Sequence, residues 1–331
     1  MAAVEGMLEE IHDTLPPSHG QNAYTFGRLA GHNVVVAAMP QIGNNAAASV
    51  ATQLLNDFGS IRFGLLVGIG GGIPGKKGEH DIRLGDVVVS QASGTFGGVV
   101  QYDMGKVTAK GRFERGGVLC KPPSVLSANV ERLKSKHHRL GNRLTKSLNE
   151  MLAKYPRMVA EYSYPGDKHD RLFKSSYRHT GGSSCQNCDL SRLVLRTIRS
   201  SPDVHYGTIA SGNTVIKDSS TRDRLQRDLS AICVDMEAAG VMDTTLPCLV
   251  IRGICDYADS HKSSRWQPYA AAIAAAYAKE LLTMIPVGDV QKARPVPISD
   301  PIEPSGNSMY EVNQVMADAL QHNADQTQEH F

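Results

Sequence analysis

The sequence predicts an α/β protein with a mostly parallel, mixed central sheet flanked by helices. Three observations predict it. Short apolar runs at 63–68 and 87–89, and the mostly apolar stretch 248–254, have the length of buried strands. Ala-rich or amphipathic stretches at 46–58, 221–229 and 269–285 lie between or after them. Glycines crowd the end of the first run, from Gly68 to Gly72. Across 331 residues the chain is 41% hydrophobic and 21% charged, which supports a large core and argues against wholesale disorder.

Taken in order, residues 1–20 predict a short amphipathic helix with Val4, Met7, Leu8 and Ile11 on one face and Pro16-Pro17 ending it. Segments 24–30 and 34–39 flank Gly31-His32-Asn33 and predict a β-hairpin. Gly43-Asn44-Asn45 opens the helix at 46–58, whose small residues allow close packing on a sheet. The strand at 63–68 runs into a glycine loop at 68–72, then a charged loop at 76–83 and a strand at 86–90. From 122 to 202 the chain turns basic and His-rich. Leu126, Val130, Leu133, Leu140, Leu144, Leu148 and Leu152 predict one long, partly exposed helix, followed by an irregular excursion at 162–189. The buried pattern resumes with a strand at 204–210, a helix at 221–229, Cys233-Val234, a helix at 236–246, the strand at 248–254 and a last helix at 269–285. One domain is therefore expected over 1–285, with an insertion at about 122–202 and a flexible tail or linker at 286–331.

Lys+Arg number 35 and Asp+Glu 33, so the net charge of +2 excludes a global basic footprint and no nucleic-acid partner is expected. The longest apolar run, 269–278, is half of a bilayer span, and Glu5, Glu9 and Glu10 stand where a signal peptide would be basic and then apolar. No membrane partner and a cytoplasmic location are expected, with the six cysteines as reduced thiols. Cys185-x-x-Cys188, with His169 and His179 upstream, is the candidate zinc pair, although a single such pair carries little weight and no metal is expected on it alone. Ligands of parallel sheets bind at the carboxyl ends of strands, which singles out the loops at 68–72, 211–213 and 255–259.

Val67-Gly68-Ile69-Gly70-Gly71-Gly72, Asp235-Met236-Glu237-Ala238-Ala239-Gly240 and Arg252-Gly253-Ile254-Cys255-Asp256-Tyr257-Ala258-Asp259 occur in this order at strand ends. Together they resemble the nucleoside phosphorylase/nucleosidase superfamily, over roughly 1–285. The wording of 81–86, 94–102 and 265–270 resembles its fungal branch, in which the domain is often fused to NTPase, tetratricopeptide or ankyrin modules. The resemblance implies cleavage of the N-glycosidic bond of a purine nucleoside or nucleotide. It implies Asp256 as the acid that protonates the leaving purine at N7, and Glu237 as acceptor of the ribose hydroxyls with Met236 beneath the sugar. Ser211 and Asn213 would lie at the base edge, and Gly70 and Gly71 would bring backbone near the nucleophile. Tyr102 or Phe96 would take over from the stacking aromatic that nucleosidases carry where Val215 stands here.

Leu66 occupies the place where hexameric phosphorylases carry a phosphate-binding arginine, which favours water as nucleophile. Arg83 and Lys76 remain candidate phosphate ligands. No cofactor is implied, and inorganic phosphate only as the co-substrate of a phosphorylase. A homo-oligomer is expected on the resemblance alone. Superfamily members begin with a buried strand ending in an acid. The residues from Met1 onward match the helix after it, so that strand is expected to be missing and its neighbours' edges left without a partner. The alternative to an enzyme is a catalytically inactive nucleoside- or nucleotide-binding regulatory module.

Overall fold

A computed structural model describes residues 1–13, 22–75, 80–181, 185–293 and 295–296. The chain enters through helix α1 (Ala2–Met7) and a small antiparallel sheet of β1 (Glu10–Ile11), β2 (Tyr24–Leu29) and β3 (His32–Ala37). The helix expected to reach Ile11 stops at Met7. Leu8 turns extended and buries its side chain, and the Glu9 and His12 N–H groups donate to Arg28 and Phe26 carbonyls of β2. Six residues hold little helix on their own, so strand pairing wins. Between β2 and β3 the turn is Ala30-Gly31, both with positive φ, a two-residue hairpin turn. His32, expected in that turn, instead opens β3, because its buried Nε2 reaches the Leu282 and Ile285 carbonyls at 3.2 and 3.0 Å.

Helix α2 (Asn44–Asp57) precedes the central sheet, which contains β4 (Gly64–Gly72), β5 (Val87–Ser90) and β6 (Val99–Gln101). A β7 (Gly105–Val107) and β8 (Phe113–Arg115) hairpin projects from it. The expected long helix is two: Gly141, at φ 74°, separates α3 (Ser124–Leu140) from α4 (Leu144–Lys154), and Leu140 is exposed rather than on the apolar face. The short α5 (Val159–Tyr162) leads into the irregular excursion, whose described residues form single turns. Then follow β9 (Val204–Ser211), α6 (Ser219–Leu229), β10 (Ala231–Asp235), α7 (Ala238–Met242), β11 (Cys248–Asp256) and α8 (Gln267–Leu282). Beyond 285, α9 (Val287–Lys292) and buried Val296, whose N–H donates to Ile61, continue the folded part. The rest of the expected tail, 297–331, lies outside the described residues.

The sheet order is β10-β4-β11-β5-β9-β6, and β10 also pairs with β9, so five strands close into a ring with β6 as a branch. Pairing is parallel for β4–β11, β5–β9, β9–β10 and β6–β9 and antiparallel for β4–β10 and β5–β11. Strand alternation feeds two cores. Val87, Val89, Leu249 and Ile251 pack with Leu126, Val130, Leu144, Leu148 and the Ala-rich α8, while Val88, Val250 and Ile254 pack with Ala47, Ala51, Val241 and Met242. Two glycines permit the closest approaches. A Cβ at Gly253 would stand 1.9 Å from the Ala270 carbonyl oxygen, and one at Gly240 1.9 Å from that of Asn44. β10 pairs with β4 only at Gly71 and Gly72, so along Gly64 to Ile69 that edge of β4 has no strand partner among the described residues.

Candidate active site

The glycine run expected as a loop is strand. β4 continues to Gly72, and its glycines leave room for neighbouring side chains rather than forming a free backbone cradle. A Cβ on Gly68 would stand 2.1 Å from Arg252 Nη1, one on Gly70 2.6 Å from Cys233 Sγ, and one on Gly71 2.9 Å from Asp256 Oδ1. Gly71 is paired with Val234 of β10 on one side and Asp256 of β11 on the other. Two strand spacings of about 4.8 Å therefore separate the backbones at Val234 and Asp256, roughly 10 Å. Asp235, Met236 and Glu237 follow Val234, so the two expected acids leave the ends of the strands that flank one glycine.

Each acid has a built environment. The Asp256 carboxylate accepts the Ala258 N–H (2.8 Å), receives the Cys255 thiol (3.2 Å) and lies 3.0 Å from Lys262 Nζ. Glu237 lies 3.2 Å from the Arg252 guanidinium, which also stands 2.6 Å from Asp235. Burial pushes the Glu237 carboxyl up, Arg252 opposes that, and Asp235 adds to it; the net is above the usual range. Arg252 is 2% exposed in the middle of an otherwise apolar strand, where an unpaired charge would be very costly. Burial pulls its charged form down, and the Asp235 and Glu237 carboxylates more than restore it. Met236 is half-buried beside Glu237.

Ser211 and Asn213, expected at the base edge, are both hydrogen-bonded within the chain. Ser211 is fully buried; its hydroxyl accepts the Ala239 N–H (2.9 Å) and donates to Asn44 Oδ1 (3.2 Å), which in turn accepts the Gly240 N–H (2.9 Å). Asn213 Oδ1 accepts the Asn44 N–H (2.9 Å). Ser211, through Asn44, ties the starts of α2 and α7 together beside Glu237, and Asn213 adds a bond to the start of α2. Exposed Val215 offers no ring, but Tyr102 packs against Gly212 and donates to the Thr214 carbonyl (3.0 Å). Burial, with the Asp103 and Asp235 charges adding to it, pushes its phenol up to about 12.

Arg83 is engaged elsewhere. Its Nε donates to Asp81 (2.9 Å) and its Nη1 to the Thr197 carbonyl, so its charge is matched inside a structural network. Lys76 lies outside the described residues. Sequence reasoning assigned no role to Arg252, Asp235 and Lys262. A charge in the middle of an apolar strand was the available signal for Arg252; nothing local marks Lys262.

The phosphorylase superfamily model matches residues 3–283. The chain belongs to the phosphorylase superfamily. A nucleotide-binding leucine-rich repeat (NLR)-like protein of Hyaloscypha variabilis is 43% identical over 86% of this superfamily chain and 28% of its own length. A 5′-methylthioadenosine/S-adenosylhomocysteine nucleosidase of Mycobacterium bovis is 25% identical over 81% of the chain and 86% of its own length. The ATP nucleosidase Cap17 of Escherichia coli is 27% identical over 73% of the chain. The chain spans 28% of the NLR-like protein and 39% of the ATP nucleosidase. Among solved structures, the Helicobacter pylori methylthioadenosine nucleosidase superposes with a TM-score of 0.54 over 85% of this chain and 91% of its own, at 17% identity. The Neisseria meningitidis enzyme, in complex with methylthio-immucillin-A, gives 0.54 over 86% of this chain and 95% of its own, at 18% identity. These structures show the fold. No helix among the described residues is long and apolar enough to cross a membrane.

Proposed function

We propose that this superfamily chain cleaves the N-glycosidic bond of a purine nucleoside or nucleotide, with water as the acceptor. One observation carries this most. Asp256 and Glu237, contributed by distant segments, leave the ends of the two strands that flank Gly71, and each is held by a cation. The C1′–N9 bond breaks with its electron pair moving into the purine, and Asp256 delivers the proton to N7. Glu237, oriented by Arg252, accepts the ribose hydroxyls and stabilises the positive charge developing at C1′. Water adds its oxygen to C1′, and the proton it releases restores the acid.

Water is favoured over phosphate because Leu66 supplies no charge, Arg252 is matched by two carboxylates and Arg83 by Asp81. The nucleosidase names of the Mycobacterium and Escherichia relatives support the same class. A homo-oligomer belongs to this proposal, as does use of the domain as one module of a longer protein. Asp256 is 3% and Glu237 9% exposed, so substrate entry needs movement. The alternative reading remains nucleoside binding without turnover, which the assay below separates from catalysis.

Purified protein is incubated with adenosine, inosine, methylthioadenosine and ATP, with and without phosphate, and free base is measured. Base release from at least one substrate is expected, falling about 10²–10⁴-fold in Asp256→Asn. Release no greater than that of the variant overturns catalysis, and calorimetric binding of the same nucleosides would then favour the binding module. Release that requires phosphate overturns water as acceptor.

A further inference from the structure

Away from the glycine strand, His179, Cys185 and Cys188 converge. Among the described residues they form the cluster of metal-ligating side chains, with all three ligand atoms within 4.8 Å of one another. His179 Nδ1 stands 3.2 Å from Cys188 Sγ, and both cysteines are free thiols. A fourth donor adjoins them. The His261 ring lies 5.5 Å from that of His179 and stacks on Phe173 at 4.1 Å. Both its ring nitrogens are buried without a hydrogen-bond partner, which is rare for an imidazole. Its backbone carbonyl is 4.0 Å from Cys185 Sγ, so the His261 backbone already borders the thiols.

We propose that this cluster is a structural zinc site, with His179, Cys185 and Cys188 as three ligands and His261 as the fourth. Two thiolates and two imidazoles are the donor set that selects tetrahedral zinc over the hard, oxygen-seeking cations. Bond lengths of about 2.3 Å to sulfur and about 2.0 Å to nitrogen put tetrahedral ligand atoms about 3.3–3.8 Å apart. The three-residue cluster is already close to that spacing, and rotation of the His261 ring completes it. The Asp259 carboxylate lies 3.7 Å from His261 Nδ1. It would take the Nδ1–H and leave Nε2 for the metal, as an outer-shell carboxylate does. Loading releases one proton from each thiol, and the Cys₂His₂ zinc unit is then neutral, which suits a mostly buried position. All four positions are filled by protein, so the site offers no place for a reacting water.

The position in the fold gives the site its purpose. His179, Cys185 and Cys188 belong to the irregular insertion. His261 belongs to the loop after β11, one residue before the Lys262 that pairs with Asp256. In the structure that seam is bridged by the His179 N–H donating to Ser260 Oγ at 2.9 Å. Zinc would weld the same seam and fix the loop beside Asp256. The metal assignment itself does not depend on glycosidic cleavage.

The full chain, purified without chelators, is analysed for metal by mass spectrometry and by cobalt substitution. About one zinc per chain is expected, with thiolate-to-cobalt charge-transfer absorption after exchange. Cys185→Ser/Cys188→Ser abolishes both, and Asp259→Asn weakens zinc affinity about 10–100-fold. Because the double serine variant could misfold, wild-type thiols are also titrated. Cys185 and Cys188 should resist alkylation until a chelator is added. Substoichiometric zinc after reconstitution, a cobalt spectrum without thiolate bands, or chelator-independent alkylation overturns the site. An unchanged zinc affinity in His261→Ala overturns the fourth ligand.

Discussion

The floor and the rim of the candidate site are built by different physics. The floor is β4 between β10 and β11, where backbone ladders fix positions and glycines let Cys233, Arg252 and Asp256 fill the space left by absent side chains. The rim is the insertion and the loop after β11, which have little ladder and are held by long charged side chains. Arg196 clamps Asp170 (3.0 Å) and the Tyr257 hydroxyl (2.6 Å). Arg222 reaches the Tyr257 carbonyl (3.1 Å) and Ser175 Oγ (2.8 Å). Asp86 gathers His205 (2.8 Å), Arg199 and the N–H groups of Arg83 and Asp203 (both 2.9 Å). A floor of this kind fails by overpacking. A rim of this kind fails by loss of charge.

The comparison can be broken first at Asp86. Removing one partner of a fully buried ionic hub leaves Arg199 and His205 uncompensated, so Asp86→Ala should cost about 3–5 kcal/mol in urea unfolding. A loss below about 1 kcal/mol would show that the rim does not depend on it. Burial raises the Asp86 carboxyl, but the hydrogen bonds and charges of His205 and Arg199 hold it below the usual carboxylate value. Its contribution is therefore present above the unfolded value and lost as pH falls through the depressed folded one, so the variant and wild type should converge in acid.

At the floor, Gly71→Ala pushes a methyl to 2.9 Å from Asp256 Oδ1 and 3.0 Å from Val234 Cγ2. About 1–3 kcal/mol of destabilisation is expected, with base release reduced beyond what the folded fraction explains. Activity that tracks folded protein alone would separate Gly71 from the chemistry. Outside both regions, Asp218 caps α6 by accepting the Thr221 N–H at 2.8 Å, and hydrogen bonds from Ser220 and Thr221 lower its carboxyl to about 2. Asp218→Ala should cost about 1 kcal/mol and leave base release unchanged, which makes it the control for general destabilisation.

The smallest expected signal is a slope. The Glu237 carboxyl is raised, so its folding contribution is present below the unfolded value and lost as pH rises through the folded one. Glu237→Gln should gain stability relative to wild type as pH rises above the unfolded carboxylate value. A constant difference as pH rises would mean that Arg252 fully compensates the charge.

The apolar runs made the strands legible because a strand buried on both faces reads as a short, mostly apolar stretch, as 87–89 does and as 248–254 does apart from Arg252. The strand-end loop at 255–259 made Asp256 legible as a candidate, whereas Glu237 and the role of each acid came from the family resemblance of 235–240 and 252–259. Other features depended on contacts between distant segments. The glycines of β4 belong to a strand because Arg252, Cys233 and Asp256 occupy their missing side-chain volume. Ser211 is a brace because Asn44 and the start of α7 meet it. His32 left its turn for the carbonyls of Leu282 and Ile285. His261 stands 73 residues after Cys188, so only the folded chain brings it to the thiols. Local pattern determines what a segment must bury. Which partner buries it, and which polar atoms that partner satisfies, is decided by the tertiary structure, because those energies come from groups far apart in the chain.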